Sequence, residues 1–334
     1  MKKILLIQTG GTIAMDISEK DITPELNPEK WTEVLYKEIP ELQQIAEIQT
    51  EQLFLEDSSD VDCSHWSKMI GYIGEQYNDY DGFVILHGTD TMAYTASALS
   101  FGLRNLGKPV ILTGSQVPMS NIRSDARRNL VNSIEMATLE INEVAICFND
   151  HLFRGNRSTK MSIGDFDAFA SPNFPPLAEI GLEIEINVSA AKNKQPLEVQ
   201  PNFDNRIFLL KLFPGIDPAF LEQLDLSTLR ALVVEAFGSG NFPLKKNRSL
   251  VPFFKKCIKQ DILIAITSQA PYDSVMLSQY ESGRKAQEMG ALSAGDMTTE
   301  AALTKMMYIL GNNHDDDTIR ALYESDLAGE LTEP

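Results

Sequence analysis

The sequence is poor in cysteine and histidine. Its three cysteines, Cys63, Cys147 and Cys257, are far apart and show no C-x-x-C spacing. This scarcity excludes a disulfide framework and argues against a zinc site, so we expect free thiols in a reducing compartment. The four histidines also lack metal-ligand spacing. We therefore expect neither a metal nor an organic cofactor.

The chain also lacks an excess of positive charge and any long apolar run. Its 29 Lys and Arg against 47 Asp and Glu give a formal net charge of −18. Nucleic acids and anionic membrane surfaces need clustered cations, so neither is an expected partner. No stretch approaches the roughly 18 apolar residues of a membrane span. The start, MKKILLIQTGG, has too short an apolar part for a signal peptide, which predicts a cytoplasmic protein.

Short apolar runs that end in glycine or polar clusters recur along the first half of the chain. They are ILLI at 4–7, GFVILHG at 82–88, KPVILTG at 108–114 and EVAICFN at 143–149. Helix-like patterns separate these runs. Strands without polar alternation, separated by helices, indicate a parallel sheet that is covered on both faces. We predict an α/β fold whose N-terminal domain has a doubly wound, mainly parallel sheet.

The composition changes between about residues 170 and 206, where SPNFPPLAEIG and SAAKNKQPLEVQPN are rich in Pro, Asn and Lys. Such composition is typical of an irregular segment and a linker. The strand-then-glycine pattern returns afterwards in RIFLLKLFPG, LRALVVEAFGSG and DILIAITSQ. We expect an N-terminal domain over 1–190, a linker over 191–206 and a smaller α/β domain over 207–334.

Two glycine turns that carry threonines follow predicted strands: TGGT at 9–12 and HGTDT at 87–91. The first lacks the patterns of dinucleotide-binding loops and P-loops, and the chain has no G-x-S-x-G elbow of a serine hydrolase. Simple structural turns are the alternative interpretation. Ligands of doubly wound folds bind beyond the carboxyl ends of the strands, so two such turns at one edge favour a site. Lys160, in the polar stretch HLFRGNRSTK, is by itself more typical of a solvated side chain.

Extended to TGGTIA and HGTDTM, the two turns resemble the signature motifs of the bacterial-type L-asparaginases, the asparaginase/glutaminase family. The resemblance continues through SSD at 58–60, ILTGSQVPM at 111–119, SDARRNL at 124–130, RGNRSTK at 154–160, DFDAF at 165–169 and AGDMTTEAALTK at 294–305. It spans essentially the whole chain and is closest in kind to the cytoplasmic type I branch. It implies hydrolysis of L-asparagine to L-aspartate and ammonia, with weaker glutaminase activity.

The resemblance implies catalytic roles for four residues of these motifs. Thr12 corresponds to the nucleophile that forms a β-aspartyl acyl-enzyme. Thr89, Asp90 and Lys160 match a second group, in which Lys160 acts as the base through Thr89. A hydroxyl is a weak nucleophile until a partner takes its proton. Burial would favour the neutral amine of Lys160 and Asp90 its charged form, and the sequence leaves that balance open.

Substrate contacts are implied for a set that overlaps the catalytic one: Gly11, Asp57, Ser58, Ser59, Gly88, Thr89, Asp90 and Asn241. For Ser58 and Ser59 the alternative is a cap of the helix that is predicted from about residue 64. Backbone N–H groups at the glycine turns are expected to form an oxyanion hole. Family members lend the residue at Asn241 to a neighbouring subunit, which implies a homodimer or homotetramer with sites near the interface.

One departure from the family concerns a tyrosine that many relatives carry on the loop after TGGTIA. Here that loop reads MDISEKDITPELNPEKW, and Ile22 stands at the place of the tyrosine. An isoleucine cannot relay a proton. Tyr280, in SQYESG, aligns with a tyrosine of type I relatives, and our hypothesis is that it supplies the missing hydroxyl, from a partner subunit. The alternative is an ordinary half-buried tyrosine.

Two other functions stay open at the level of sequence. The first is that of a tRNA-dependent amidotransferase component, which releases ammonia for a partner. Such relatives carry an additional N-terminal domain, whereas TGGT begins here at residue 9, and the acidic composition also disfavours this function. The second is a non-catalytic amino-acid binder, which is compatible with the missing loop tyrosine.

Overall fold

The computed structural model describes residues 1–11, 28–187, 195–312 and 315–332. The chain packs as two compact units, Met1–Pro201 and Asn202–Pro334. The predicted linker includes residues 191–194, which lie outside the described ranges, so its boundaries stay a prediction. Within those ranges, no helix is long and apolar enough to cross a membrane.

The first unit is built around one large sheet. Its described strands are β1 (Lys3–Gly10), β2 (Glu47–Glu56), β3 (Gly82–Leu86), β4 (Leu103–Arg104), β5 (Val110–Thr113), β6 (Val144–Phe148), β7 (His151–Arg154), β8 (Thr159–Lys160), β9 (Phe169–Ala170), β10 (Ala178–Ile180), β11 (Ile184–Ile186) and β12 (Glu198–Val199). Eight of them form a sheet of order β11-β10-β7-β6-β5-β3-β1-β2. The pairs from β2 to β6 are parallel, and β7, β10 and β11 add antiparallel pairs at one side. β4 pairs with β12 and β8 with β9.

Burial explains why the apolar runs became the central strands. β3, β5 and β6 are buried along their whole length, and β1 is buried from its second residue onward. Strands that are covered on both faces need no polar alternation, so the predicted mainly parallel sheet is confirmed. β10 and β11 lie in the segment that we predicted as irregular. Each has only three residues. β10 pairs with β7, which lies far from it in the sequence, so no local sequence pattern predicts this strand.

Helices cover this sheet and connect its parallel strands. They are α1 (Pro28–Glu38), α2 (Leu42–Ile45), α3 (Cys63–Gln76), α4 (Met92–Gly102) and α5 (Ala126–Ala137). α4 is buried over almost its whole surface, which is the pattern of a core helix. Residues such as Leu35 of α1 and Leu130 of α5 pack with Ile4 and Val84 of the sheet in one apolar cluster.

The strand order reverses at β1. From β1 the chain goes to β2 on one side of the sheet, and then to β3 on the other side. In an open α/β sheet such a switch point leaves a crevice beyond the carboxyl ends of the strands that flank it. Here that position is occupied by the residues after β1 and β3, which are the two predicted glycine turns.

The second unit is a smaller α/β domain, as predicted. Its strands are β13 (Ile207–Lys211), β14 (Ala231–Ala236), β15 (Leu263–Ser268) and β16 (Leu292–Ser293), which pair in parallel in that order. Its helices are α6 (Pro218–Glu222), α7 (Val251–Ile258), α8 (Glu281–Glu288), α9 (Thr299–Gly311) and α10 (Asp316–Glu324). Apolar residues of the sheet, such as Val234 and Ile264, pack against α7 through Phe253 and Phe254.

A buried ion pair connects α9 to the C-terminal segment of the second unit. Lys305 Nζ lies 2.6 Å from a carboxylate oxygen of Glu330, and both side chains have no exposed surface. Glu330 also accepts hydrogen bonds from the backbone N–H groups of Leu327 and Ala328, at 3.0 and 2.7 Å. These bonds compensate part of the desolvation of the two charges.

We expect Glu330→Gln to destabilise the protein strongly, because it leaves the Lys305 ammonium buried without its counter-ion. Removing one partner of a buried pair typically costs about 3–5 kcal/mol of unfolding free energy, which chemical denaturation measures. Glu288→Gln is the matched control, since the Lys285–Glu288 pair is largely exposed, and it should leave the unfolding midpoint unchanged. Equal, small effects of the two substitutions would contradict the structural role of the buried pair.

Candidate active site

The two glycine turns meet at the switch point of the large sheet. Gly10 ends β1 and Gly11 follows it, with φ angles of +129° and +81°, and residues with side chains rarely adopt these backbone conformations. A Cβ on Gly11 would lie 2.6 Å from the backbone nitrogen of Gly88, and a Cβ on Gly10 would lie 1.9 Å from the carbonyl oxygen of Glu56. Glycine is therefore required for this approach of the two backbones. Thr12, the predicted nucleophile, lies outside the described residues, and so does Ile22.

The segment after β2 closes another side of the crevice. A Cβ on Gly88 would lie 2.7 Å from the side chain of Ser58, and Thr91 donates a hydrogen bond to the carbonyl oxygen of Ser58 at 2.6 Å. The hydroxyl and N–H of Ser59 both donate to Asp57, at 2.7 and 2.8 Å, and these bonds lower the pKa of the Asp57 carboxyl group. The structure thus brings the predicted binding residues 57–59 together with Gly88.

The alternative interpretation of Ser58 and Ser59 as helix caps is wrong. They belong to a short 3₁₀ turn, Ser58–Asp60, and α3 begins later, at Cys63. Its cap is Asp62, whose side chain accepts from the N–H groups of Ser64 and His65. The hydrogen bonds of Asp62 hold its pKa at about 2.

Lys160 joins the second glycine turn from the β8–β9 ribbon. Its Nζ donates to Thr89 Oγ1 at 2.7 Å and to Asp90 Oδ1 at 2.5 Å. The Lys160 side chain is only 14% exposed, whereas that of Asp90 is 67% exposed. The interpretation of Lys160 as a solvated surface lysine is therefore wrong. The structure brings three of the predicted catalytic residues into one hydrogen-bonded group.

Two further residues shape the turn without having been predicted. Gln116, after β5, places its Oε1 3.3 Å from the Thr89 hydroxyl. His87 is buried, with Nδ1 2.7 Å from the Gly88 carbonyl oxygen and Nε2 2.9 Å from the Thr95 hydroxyl. In the sequence, Gln116 follows an apolar strand and lies within the ILTGSQVPM motif of the family resemblance, but no role was predicted for it. His87 carries no signal beyond its place before the glycine.

The surroundings of His87 fix its protonation. The Gly88 carbonyl can only accept, so Nδ1 carries the proton. Trp66 Nε1 donates to Thr95 Oγ1 at 3.1 Å, which leaves the Thr95 hydrogen for Nε2. Burial lowers the pKa of His87 to about 4. At neutral pH the imidazole is therefore uncharged. Its hydrogen bond keeps the Gly88 carbonyl oxygen directed toward the protein interior.

Asn241 and Tyr280, the predicted residues of the second unit, lie close to each other. Ser282 donates to Asn241 Oδ1 at 2.8 Å. Tyr280 and Ser282 line an open cavity of about 430 Å³, together with Phe242 and Lys245 among others. Tyr280 precedes α8 and is 51% exposed. Its ring is thus presented on the surface of the second unit beside the Asn241 turn.

The first-unit residues together present the groups that an acyl transfer to a hydroxyl needs. They are a hydroxyl (Thr89), an amine that contacts it (Lys160), a carboxylate (Asp90) and two glycine turns whose backbones approach each other closely. Among the described residues, no group of three or more His, Cys, Asp or Glu side chains is placed to hold a metal ion. The expectation of a cofactor-free protein stays a prediction.

Known proteins resemble the chain over its full length. Two family models match it: "Asparaginase, N-terminal" over residues 3–193 and "Glutaminase/Asparaginase C-terminal domain" over residues 206–323. "L-asparaginase 1" of Escherichia coli (strain K12) is 40% identical over 336 residues, which cover 99% of this chain and 98% of that protein. The solved thermostable L-asparaginase from Thermococcus kodakarensis matches with a TM-score of 0.89 at 34% identity, over 99% of this chain and 100% of that one.

A relative with a different function in its name also matches. It is a component of the glutamyl-tRNA(Gln) amidotransferase of Pyrococcus abyssi, and it is 33% identical to this chain. The match covers 99% of this chain but 77% of that protein.

We expect Gly11→Ala to disrupt the crevice, because the new methyl group would overlap the backbone of Gly88 at a φ angle that alanine disfavours. Overpacking and backbone strain together predict a loss of about 2 kcal/mol or more in unfolding free energy, measured by urea denaturation. Gly71→Ala is the control, since an added Cβ there meets no atom within 4 Å. In the middle of α3 it should be neutral or stabilising. Equal stability of the two variants would show that the turns do not touch as described.

Proposed function

Because the chain belongs to the asparaginase family, we propose that it is an L-asparaginase, which hydrolyses L-asparagine to L-aspartate and ammonia. The observation that carries this proposal is the hydrogen-bonded group of Lys160, Thr89 and Asp90 beside the Gly11 turn. A hydroxyl nucleophile needs a neighbouring acceptor for its proton. This group supplies one beside Gly11, the residue that Thr12 follows in the chain.

In the proposed reaction, the Thr12 hydroxyl attacks the side-chain amide carbon of asparagine. Lys160, acting through Thr89, takes up the hydroxyl proton and passes it to the leaving nitrogen, so that the C–N bond breaks, ammonia leaves and the β-aspartyl ester remains on Thr12. Water then cleaves the ester and releases aspartate. Backbone N–H groups of the glycine turns stabilise the oxyanion, where one donor is typically worth about 3–4 kcal/mol. These steps are acyl transfers assisted by proton transfer, without any change of oxidation state, and we propose no metal and no organic cofactor.

Substrate recognition is assigned to the acidic and hydroxyl groups around the crevice. Asp90 has an exposed carboxylate that can receive the α-ammonium group of the substrate, and Ser58 and Ser59, with nearby N–H groups, receive its carboxylate. The single hydroxyl hydrogen of Ser59 is donated to Asp57 in the structure, so this hydroxyl has to turn away from Asp57 when it donates to the substrate carboxylate. Glutamine is one methylene longer, a difference worth about 1–3 kcal/mol, so we propose that it is the weaker substrate.

We further propose a cytoplasmic homodimer or homotetramer. Asn241 is bonded to Ser282, which lines the same cavity of the second unit as Tyr280, and this arrangement supports a pair that is lent to a neighbouring subunit. None of the three cysteines is in a disulfide, which suits a reducing compartment. The net charge of −18 disfavours nucleic acid and anionic membranes as partners.

The amidotransferase resemblance supports a second candidate function, the release of ammonia for a partner enzyme. That relative is less similar than the E. coli asparaginase, and this chain spans 77% of it. A non-catalytic binder is the third candidate. Free turnover of asparagine without any partner favours the asparaginase over both.

We expect the purified protein to release ammonia from L-asparagine, and the variants Thr12→Ala, Thr89→Val and Lys160→Met to lower kcat by roughly 10²-fold or more. A coupled ammonia assay measures the rates. Thr138→Val is the matched control, because this hydroxyl donates to the Glu135 carbonyl at the end of α5, away from the crevice, and it should keep the wild-type rate. Binding of asparagine without ammonia release would reject the enzyme and favour the binder.

We expect Tyr280→Phe to lower kcat by about 100-fold, since it removes the hydroxyl that we assign to nucleophile activation while keeping the ring. Tyr272→Phe serves as the control, as Tyr272 is a similarly exposed tyrosine of the same unit. Unchanged turnover in Tyr280→Phe would make Tyr280 an ordinary surface tyrosine and leave the Thr12 mechanism in place.

A further inference from the structure

Resting on the proposed function, we propose that Gln116 is a positioning residue for the reaction. Its side chain connects the hydroxyl of Thr89 to the loop that follows Lys160, residues 161–168. In this way it keeps the amine of Lys160 within hydrogen-bond distance of the Thr89 hydroxyl. Gln116 is assigned no contact with the substrate. Its effect on turnover passes through Thr89 and Lys160.

Hydrogen-bond partners fix the orientation of the Gln116 amide. One end lies 3.2 and 3.1 Å from the carbonyl oxygens of Ser162 and Asp165. Two carbonyls can only accept, so this end is the NH₂ group, and the oxygen faces Thr89. When its amine is protonated, Lys160 can only donate to Thr89 Oγ1, and the Thr89 hydrogen is then left for Gln116 Oε1. At 3.3 Å this bond is long for two oxygens, and Thr89 is its donor.

The backbone of Gln116 is itself held by hydrogen bonds to a buried carboxylate. The carboxylate of Asp125, which is buried, accepts the Gln116 N–H at 3.0 and 3.1 Å and the Val117 N–H at 3.1 Å. Asn129 donates to the same carboxylate at 3.0 Å and to the Gly114 carbonyl at 3.0 Å. The side chain of Gln116 therefore starts from a fixed backbone, which a tether between two elements requires.

The 161–168 loop is closed mainly on itself. The N–H groups of Met161 and Ser162 both donate to the Ala168 carbonyl, at 2.8 and 3.3 Å, and Asp167 bonds Asn149 at the far end. Gln116 holds the near end, next to Lys160. Without it, the loop loses two of its hydrogen bonds to the rest of the unit, and the Lys160 amine loses a fixed approach to Thr89.

A glutamine with the same pair of contacts occurs elsewhere in the chain and offers a control. Gln269 Nε2 donates to the carbonyl oxygens of Leu212 and Glu235, at 2.6 and 2.9 Å. This bridge joins strands of the second unit and contacts none of the predicted catalytic residues of the first. Gln116→Met and Gln269→Met thus remove the same kind of amide at nearly constant side-chain volume. Only Gln116→Met also removes a contact with Thr89.

The test measures kcat and KM for asparagine, thermal unfolding, and hydrogen exchange of the 161–168 segment by mass spectrometry. We expect Gln116→Met to lower kcat roughly tenfold or more, with KM nearly unchanged, because misplacing a catalytic group costs rate rather than binding. Exchange in 161–168 should become faster. Gln269→Met should keep the wild-type kcat and the wild-type exchange in this segment, even where both variants lower the unfolding temperature.

The possible outcomes separate this inference from the proposed function. Wild-type-like kcat and exchange in Gln116→Met overturn the positioning role while leaving the asparaginase intact. Faster exchange with unchanged kcat also overturns it, because the tether then has no effect on the base. Absence of ammonia release by the wild type rejects the proposed function, and with it the catalytic part of this inference. Hydrogen exchange then still tests the structural part: unchanged exchange of the 161–168 segment in Gln116→Met would show that Gln116 does not hold this loop.

Discussion

The site depends on the approach of two backbones, at Gly11 and Gly88. Neighbouring strands of a sheet are about 4.8 Å apart, and the turns that leave β1 and β3 can touch only where no side chain intervenes. An added Cβ on Gly11 would come within 2.8 Å of three backbone atoms of His87 and Gly88. Because the contact is made by backbone, Thr89, which follows Gly88, emerges beside Gly11. This proximity follows from a parallel sheet with its switch point at β1 and does not depend on which catalytic side chains the turns carry.

A polar frame behind the crevice then keeps the two turns in place. His87 holds the Gly88 carbonyl from inside and stays neutral because it is buried. Asp125 holds the backbone after β5, and this accounts for the SDARRNL segment, whose aspartate and asparagine face inward rather than toward a ligand. Buried polar groups of this kind are stable only when their hydrogen bonds are satisfied. The site is therefore rigid on its inner side, while the Asp90 side chain is open to solvent.

Much of this arrangement follows from patterns along the chain, and some of it does not. Continuous apolar runs predicted β1, β3, β5 and β6, because strands covered on both faces must be apolar throughout. The two glycine turns predicted the place of the site for the same topological reason. The burial of Lys160 was not predictable, since its ribbon pairs with Phe169 and Ala170 through contacts that leave no periodic signal. Gln116 was missed because a single glutamine after a strand has no pattern, and its partners are backbone carbonyls some 46 to 49 residues away.

Two lysine–carboxylate pairs show how burial separates structural from functional charges. Lys160–Asp90 and Lys305–Glu330 have nearly the same length, 2.5 and 2.6 Å. The second pair has no exposed surface, so separating it would leave an unpaired charge in the core at a cost of several kcal/mol. The carboxylate of the first pair faces water while its lysine is only 14% exposed, so separating this pair costs less than separating the buried one, although more than the roughly 0–1 kcal/mol of a fully exposed pair. In the proposed function, Asp90 exchanges Lys160 for another cation, the ammonium group of the substrate, because its carboxylate is open to solvent. A pair that must part during a reaction belongs at the rim of a crevice, and a pair that must persist belongs in the core.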